Sequence, residues 1–161
     1  MSATTWSIDP LHSEVQFKVK HLVISTVTGS FTKFQGSATT QGDDFENAAI
    51  EFSLDTDSIS THQAQRDEHL RSPEFFDTAT YPTISFRSTG ISGTPENFTV
   101  TGNLTIMGKT LPITLSGKAA DGKVSGTGTI VQTAFGIKPF SALMGALKVA
   151  DEVGISFELT L

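Results

Sequence analysis

The chain has no cysteine, which removes disulfides, thiolate catalysis and cysteine-based zinc or iron–sulfur sites together. Positive charge is also scarce: 11 Lys and Arg stand against 17 Asp and Glu, a formal net charge of −6. Nucleic acid and anionic membrane surfaces reward clustered cations, so neither is expected as a partner. No apolar run is long enough to cross a bilayer as a helix, and stable membrane insertion is not expected. There is no low-complexity tract, internal repeat or run of one charge. The opening MSATTWSIDP carries neither the basic region nor the apolar stretch of a secretory leader. The expected location is therefore the cytoplasm, or the periplasm or exterior if a leader has been trimmed. The HExxH, nucleophile-elbow, phosphate-loop and dinucleotide-binding signatures are missing too.

What the chain has is a period of two. Val15, Phe17 and Val19 alternate with Gln16 and Lys18, and Ile50, Phe52 and Leu54 with Glu51 and Ser53. The pattern returns at Ile84/Phe86, Phe98/Val100, Leu104/Ile106 and Leu111/Ile113/Leu115, and closes the chain at Val153/Ile155/Phe157/Leu159. One apolar and one polar face per run suits an antiparallel sheet. Asp121-Gly122 is a two-residue hairpin signal, and Met107-Gly108 a looser one. About eight or nine such runs in 161 residues predict one all-β domain over residues 1–161, with closure into a barrel as the simplest way to remove sticky edges.

In KVSGTGTIV the face that carries Val124 and Ile130 also carries Gly126 and Gly128. Those glycines leave room inside. Either neighbouring phenylalanines, of which the chain has 12, fill that room, or it belongs to a ligand; an eight-stranded barrel allows both.

The segment SISTHQAQRDEHLRSPEFFD breaks the rhythm. Ser60 and Gln63 have capping-box spacing, and Asp67 precedes Arg71 by four residues, the favourable order for a helical ion pair. Ser72-Pro73 stops the helix and can begin a second turn that carries Phe75 and Phe76. Leu70 is the one large apolar residue on the helix, so the expectation is a polar insertion lying over the barrel as a lid. His62 and His69 would lie about 10 Å apart along a helix, too far to share a metal ion unaided. Asp67 and His69 offer acid–base chemistry in principle, but adjacent helical positions diverge by about 100°.

Four stretches carry a resemblance: W-x-I-D-P-x-H-S from Trp6, R-D-x-H-L from Arg66 with FFD and YPTISF after it, GNLTIMGKT from Gly102, and the closing FGIKPFSALMGALKVADEVGISFELTL. In order and spacing they are similar to the YceI-like family of polyisoprenoid-binding proteins, across nearly the whole chain. The resemblance implies a lipocalin-like antiparallel β-barrel of about eight strands, with a short helical insertion around residues 60–77 and an apolar tunnel for a polyisoprenoid, isoprenoid quinone or related amphiphile. It implies binding, storage or transport without catalysis, no cofactor beyond a bound isoprenoid or acyl lipid, and a homodimer. The tunnel residues it points to are Phe17, Val19, Phe31, Phe52, Leu54, Leu70, Phe75, Phe76, Ile84, Phe86, Leu104 and Ile106, with Gly126 and Gly128. A polar mouth would be formed from His21, Arg66, Asp67, His69 and Arg87.

Arg71 and Lys138 are further candidate cations for a ligand head group, and residues 138–149 a candidate opening. Where the family often has a charged pair before FGI, this chain has Val131 and Gln132, which points to a neutral head group. His12 and Ser13 read as strand-end residues satisfying backbone groups, or as contacts to a ligand's polar end. Two other functions remain open at this stage: an enzyme using His69 and Asp67 on a lipid head group, and a filled barrel serving as an interaction module.

Overall fold

A computed structural model describes residues 3–9, 13–21, 26–41, 44–137, 141–142 and 147–160. Eight strands of eight residues or more pair in one antiparallel path: β4 (Phe34–Gln41), β5 (Asp44–Asp55), β7 (Thr83–Thr94), β8 (Asn97–Ile106), β9 (Lys109–Ala120), β10 (Lys123–Val131), β12 (Leu147–Thr160) and β2 (Glu14–His21). Short pieces extend both edges. β1 (Ala3–Ser7) lies beside β4; β3 (Thr26–Phe31) and then β6 (Ile59–Ser60) lie beyond β2; β11 (Ser141–Ala142) pairs with β12. The protein is a curled antiparallel sheet, a half-barrel with one short helix, α1 (Ala64–Arg71).

The hairpin signals are realised as left-handed turn pairs. Asp121 and Gly122 have φ of 53° and 76°, and Met107 and Gly108 have 52° and 77°. Two positive angles in a row twist the chain in the sense that paired strands require.

The curl is tied at one corner, where β3 runs into β4 through Thr32 and Lys33. The Thr32 N–H donates to the Ser58 carbonyl (3.3 Å), the Lys33 N–H to the Ser58 hydroxyl (3.1 Å), and the Asp55 N–H to the Lys33 carbonyl (2.9 Å). A second tie joins the chain after β1 to the end of β12. The Asp9 N–H donates to the Thr160 carbonyl (2.7 Å), and the Thr160 N–H donates to Ser13 Oγ (2.8 Å). Ser13 therefore satisfies a backbone group at a strand end; His12 lies outside the described residues.

The sheet also parts in two places. The β5–β7 ladder runs from Asp55/Thr83 to Glu51/Arg87, where the Ile50 N–H turns to the Ser88 hydroxyl (2.8 Å). The β9–β10 ladder ends at Ser116/Thr127. Beyond these points each strand stays with its other neighbour.

The insertion differs from the sequence expectation in its first turn. The helix starts at Ala64 after Gln63, with no side-chain cap, because Ser60 is already paired with Ser30 in the sheet. Its stop is as expected: Ser72 is extended and donates its hydroxyl to the His69 carbonyl (2.5 Å), and the Phe75 N–H returns to the Ser72 carbonyl (3.0 Å).

Candidate functional site

The inward side chains pack into one cluster but leave a space among them. Between them lies a cavity of about 290 Å³, lined from both halves of the curled sheet and from the helical insertion. Ten of the expected tunnel residues are on its wall: Phe17, Phe31, Phe52, Leu54, Leu70, Phe76, Ile84, Phe86, Leu104 and Ile106. Period-two alternation put the eight strand residues there, each strand sending alternate residues inward, while Leu70 and Phe76 come from the helical insertion. Val19 sits in the β2 ladder between Val27 and Val153, but its side chain lies outside the described residues.

Three expected positions sit elsewhere. Phe75 is buried against the helix, its ring edge-on to His69 at 4.9 Å. Gly126 and Gly128 are not on the wall, because neighbours occupy the room they leave. A Cβ on Gly126 would meet Cζ of Phe157 at 2.5 Å, and one on Gly128 would meet Cδ2 of Leu115 at 2.5 Å.

The Gly126 contact is one of a set. Cβ atoms on Gly29, Gly36, Gly102 and Gly117 would press on the rings of Phe17, Phe52, Phe86 and Phe98 respectively. Four of the five pairs are direct cross-strand partners: Phe17/Gly29, Phe52/Gly36, Phe98/Gly117 and Phe157/Gly126. Each ring lies over its neighbour's bare backbone while still lining the cavity. Of the two readings of Gly126 and Gly128, the structure shows the room filled by neighbours, Phe157 at the first and Leu115 at the second, with the cavity lying beyond them.

Phe98 and Phe157 on the wall were absent from the expected tunnel set, although both belong to alternating runs. The pairing that lays them over glycine is a register fact, which no single strand displays.

The polar residues of the insertion mostly hold it together. The buried Asp67 accepts at Oδ1 from both the Thr61 N–H (2.8 Å) and the Thr61 hydroxyl (2.5 Å). Arg66 donates from Nε to the Thr61 hydroxyl (2.7 Å) and from Nη2 to the Thr61 carbonyl (2.8 Å). Arg71 turns away from the helix to the Asp57 and Ile59 carbonyls (3.0 and 3.1 Å) and the Asp57 carboxylate (3.6 Å), in place of the expected pair with Asp67. His69 Nε2 lies 2.6 Å from Glu74 Oε2 on the exposed side. Only Leu70 and Phe76 of the insertion reach the cavity, beside Ile59, with the Phe76 ring edge-on to Phe31 at 6.5 Å.

Arg87 stands on the outer face at the β5–β7 fork, paired with Glu51 at 2.7 Å. His21 ends β2, and its side chain lies outside the described residues, as do Lys138 and most of the candidate opening at 138–149. Among the described residues, the polar members of the wall are Gln16, Ser37, Glu51, Gln132 and Ser156, and no Lys or Arg joins them. No cluster of His, Asp and Glu able to hold a metal ion occurs among the described residues.

A family model described as the YceI-like domain matches residues 6–161. Over 107 residues the chain is 39% identical to a UPF0312 protein of Yersinia enterocolitica and 36% identical to the protein YceI of Salmonella newport, covering 66% of this chain and 56% of each relative. The chain thus spans little more than half the length of these curated relatives. In structure it is similar to BcnA of Burkholderia cenocepacia, with a TM-score of 0.84 at 24% identity, covering 96% of this chain and 99% of that one. It is also similar to a polyisoprenoid-binding domain from Saccharophagus degradans implicated in plant cell wall breakdown, with a TM-score of 0.71 at 16% identity, covering 98% and 97%. At these identities the likeness is one of fold.

Proposed function

The chain belongs to the YceI-like family, and from that premise we propose that it binds and carries a long apolar lipid inside the half-barrel without transforming it. The observation that carries this reading is the open cavity of about 290 Å³ with its apolar wall. Water gains nothing from such a wall, whereas a hydrocarbon chain loses its own unfavourable hydration by entering. The polyisoprenoid-binding description of the Saccharophagus degradans domain adds support for the ligand class.

The size of the cavity sets the energetics. At about 30 Å³ for a water-sized group, it takes roughly ten methylene-sized groups. Each is worth about 0.8 kcal/mol on burial, so the gross gain is roughly 8 kcal/mol. That is the order of a micromolar dissociation constant before ordering costs are subtracted. Affinity on this scale comes from the chain of the ligand, and its polar end only sorts among candidates.

That sorting favours an uncharged end. A phosphate drawn into the described wall would meet apolar side chains and no Lys or Arg, and the one charged residue of that wall, Glu51, is an anion already paired with Arg87 on the outer face. Burying an unpaired charge is far costlier than burying a hydroxyl or carbonyl that finds one hydrogen bond. A quinone, alcohol or amide therefore fits better than a polyprenyl phosphate.

Organic extraction of the purified protein followed by mass spectrometry should recover an isoprenoid or acyl compound near one per chain. Protein that is repeatedly empty, and that also ignores added quinone and polyprenol, would reject the reading. Analytical ultracentrifugation of the same sample tests the homodimer that the family resemblance implies.

A further inference from the structure

We propose that Gly29 and Phe17 form the element that sets the bore of the cavity, and so determine whether a methyl-branched chain is admitted alongside a straight one. The proposal rests on the carrier reading and deepens it by naming residues that select the ligand.

Gly29 on β3 and Phe17 on β2 are direct partners across the ladder. A Cβ on Gly29 would run into Cζ, Cε1 and Cε2 of the Phe17 ring, and its three nearest neighbours are all atoms of that ring. The seat is therefore made for this side chain. At Gly117 and Gly126, by contrast, a Cβ would also strike backbone oxygens, those of Ser125 and Ser116. At Gly29 the three atoms nearest to an added methyl group all belong to one ring.

The displaced ring has the cavity beside it as open space. Phe17 already lies 5.6 Å from Phe31, which in turn meets Phe76 of the insertion, and all three line the cavity. A ring that leaves its seat therefore swings into the lumen. The effect falls on width more than on length. A straight acyl chain needs only its own thickness, whereas an isoprenoid carries a methyl branch on every repeat and needs the wider bore. One methylene in a closely fitting pocket changes binding by about tenfold or more.

The test compares wild type, Gly29→Ala, Phe17→Leu and the double variant, each delipidated, with geranylgeraniol and hexadecanol as branched and straight probes. Binding is read by displacement of parinaric acid. Gly29→Ala should weaken geranylgeraniol relative to hexadecanol by about tenfold. The double variant, which has no ring to displace, should restore the wild-type ratio. An unchanged ratio in folded Gly29→Ala, or no restoration in the double variant, overturns the proposal.

If Gly29→Ala does not fold, Phe17→Leu alone should raise the ratio in favour of the branched alcohol, and an unchanged ratio overturns it. If wild type binds neither alcohol, the carrier reading fails by itself. Xenon, which enters dry apolar cavities, then decides the bore: occupancy lost in Gly29→Ala crystals and regained in the double variant supports it, and equal occupancy overturns it.

Discussion

Val124→Phe tests whether the centre of the protein is hollow. Val124 is half-buried on the cavity wall, in β10, between Ala119 of β9 and Leu159 of β12. A phenyl ring in its place adds apolar volume toward the lumen. If the lumen is empty, the added carbon is buried without displacing a neighbour. At about 0.8 kcal/mol per methylene the gross gain reaches about 3 kcal/mol. Fixing the new side chain takes back up to about 1 kcal/mol, leaving roughly 2–3 kcal/mol. If the side chains instead meshed, the same change would overpack them and cost about 1–3 kcal/mol. The two cases differ in sign, so the result does not depend on the exact coefficient. For a domain of this size each kcal/mol moves Tm by about 2–4 °C. Thermal unfolding of delipidated protein is the assay, because bound lipid would stabilise wild type by mass action and mask the comparison. A rise of a few degrees, with loss of lipid binding in the same variant, is the expected outcome. A fall of several degrees would refute the reasoning from cavity to carrier.

Three further outcomes follow from the polar groups. Asp67→Ala strips the acceptor from the Thr61 N–H and hydroxyl and should lower stability by about 1–3 kcal/mol, read from the urea midpoint. Lipid affinity of the folded variant should stay within a few-fold, and a larger loss would place Asp67 at the ligand. Arg87→Ala breaks a pair whose side chains are 76% and 60% exposed, so it should cost at most about 1 kcal/mol and leave binding unchanged; a measurable change in affinity would make the β5–β7 fork part of the site. Asp151 has its carboxyl held below the usual carboxylate range by the Thr133 hydroxyl (2.6 Å) and then the Thr133 N–H (2.8 Å). A depressed carboxyl stabilises the fold above its unfolded-state value, and that contribution is lost as pH falls through the folded-state value. Asp151→Asn should therefore flatten the fall of Tm with acid, and an unaltered slope would reject the role.

Much of this was legible in the sequence because a strand writes its burial at every second residue. Phe17, Phe52, Leu54, Ile84, Phe86, Leu104 and Ile106 all reached the wall on that signal alone. The hairpins at Met107-Gly108 and Asp121-Gly122 were legible for a similar reason, since few residues tolerate the angles they adopt. The insertion was less so. Capping-box spacing at Ser60 competes with sheet pairing, and pairing won because Ser30 was at hand across the ladder. Asp67 looked like a partner for Arg71 because helical spacing favours it, yet Thr61 offers two donors in a buried position and Arg71 finds two carbonyls. Spacing along one element carries no information about groups that a second element supplies.

The same limit explains why the glycines could not be assigned from sequence and why they matter. A phenylalanine projecting into a half-barrel obstructs it, and a glycine facing inward weakens its strand. Taken singly, each is a defect for a carrier. Register turns them into a complementary set: the ring lies along the wall because the neighbouring strand has nothing there to push it off, and the glycine's bare backbone is covered because a ring lies on it. Five such seats let β2, β5, β7, β8 and β12 carry aromatic bulk without closing the middle. The cavity is thus more than space left over from imperfect packing. Its wall is built from rings seated on bare backbone, a complementarity that spans neighbouring strands and that no single strand carries.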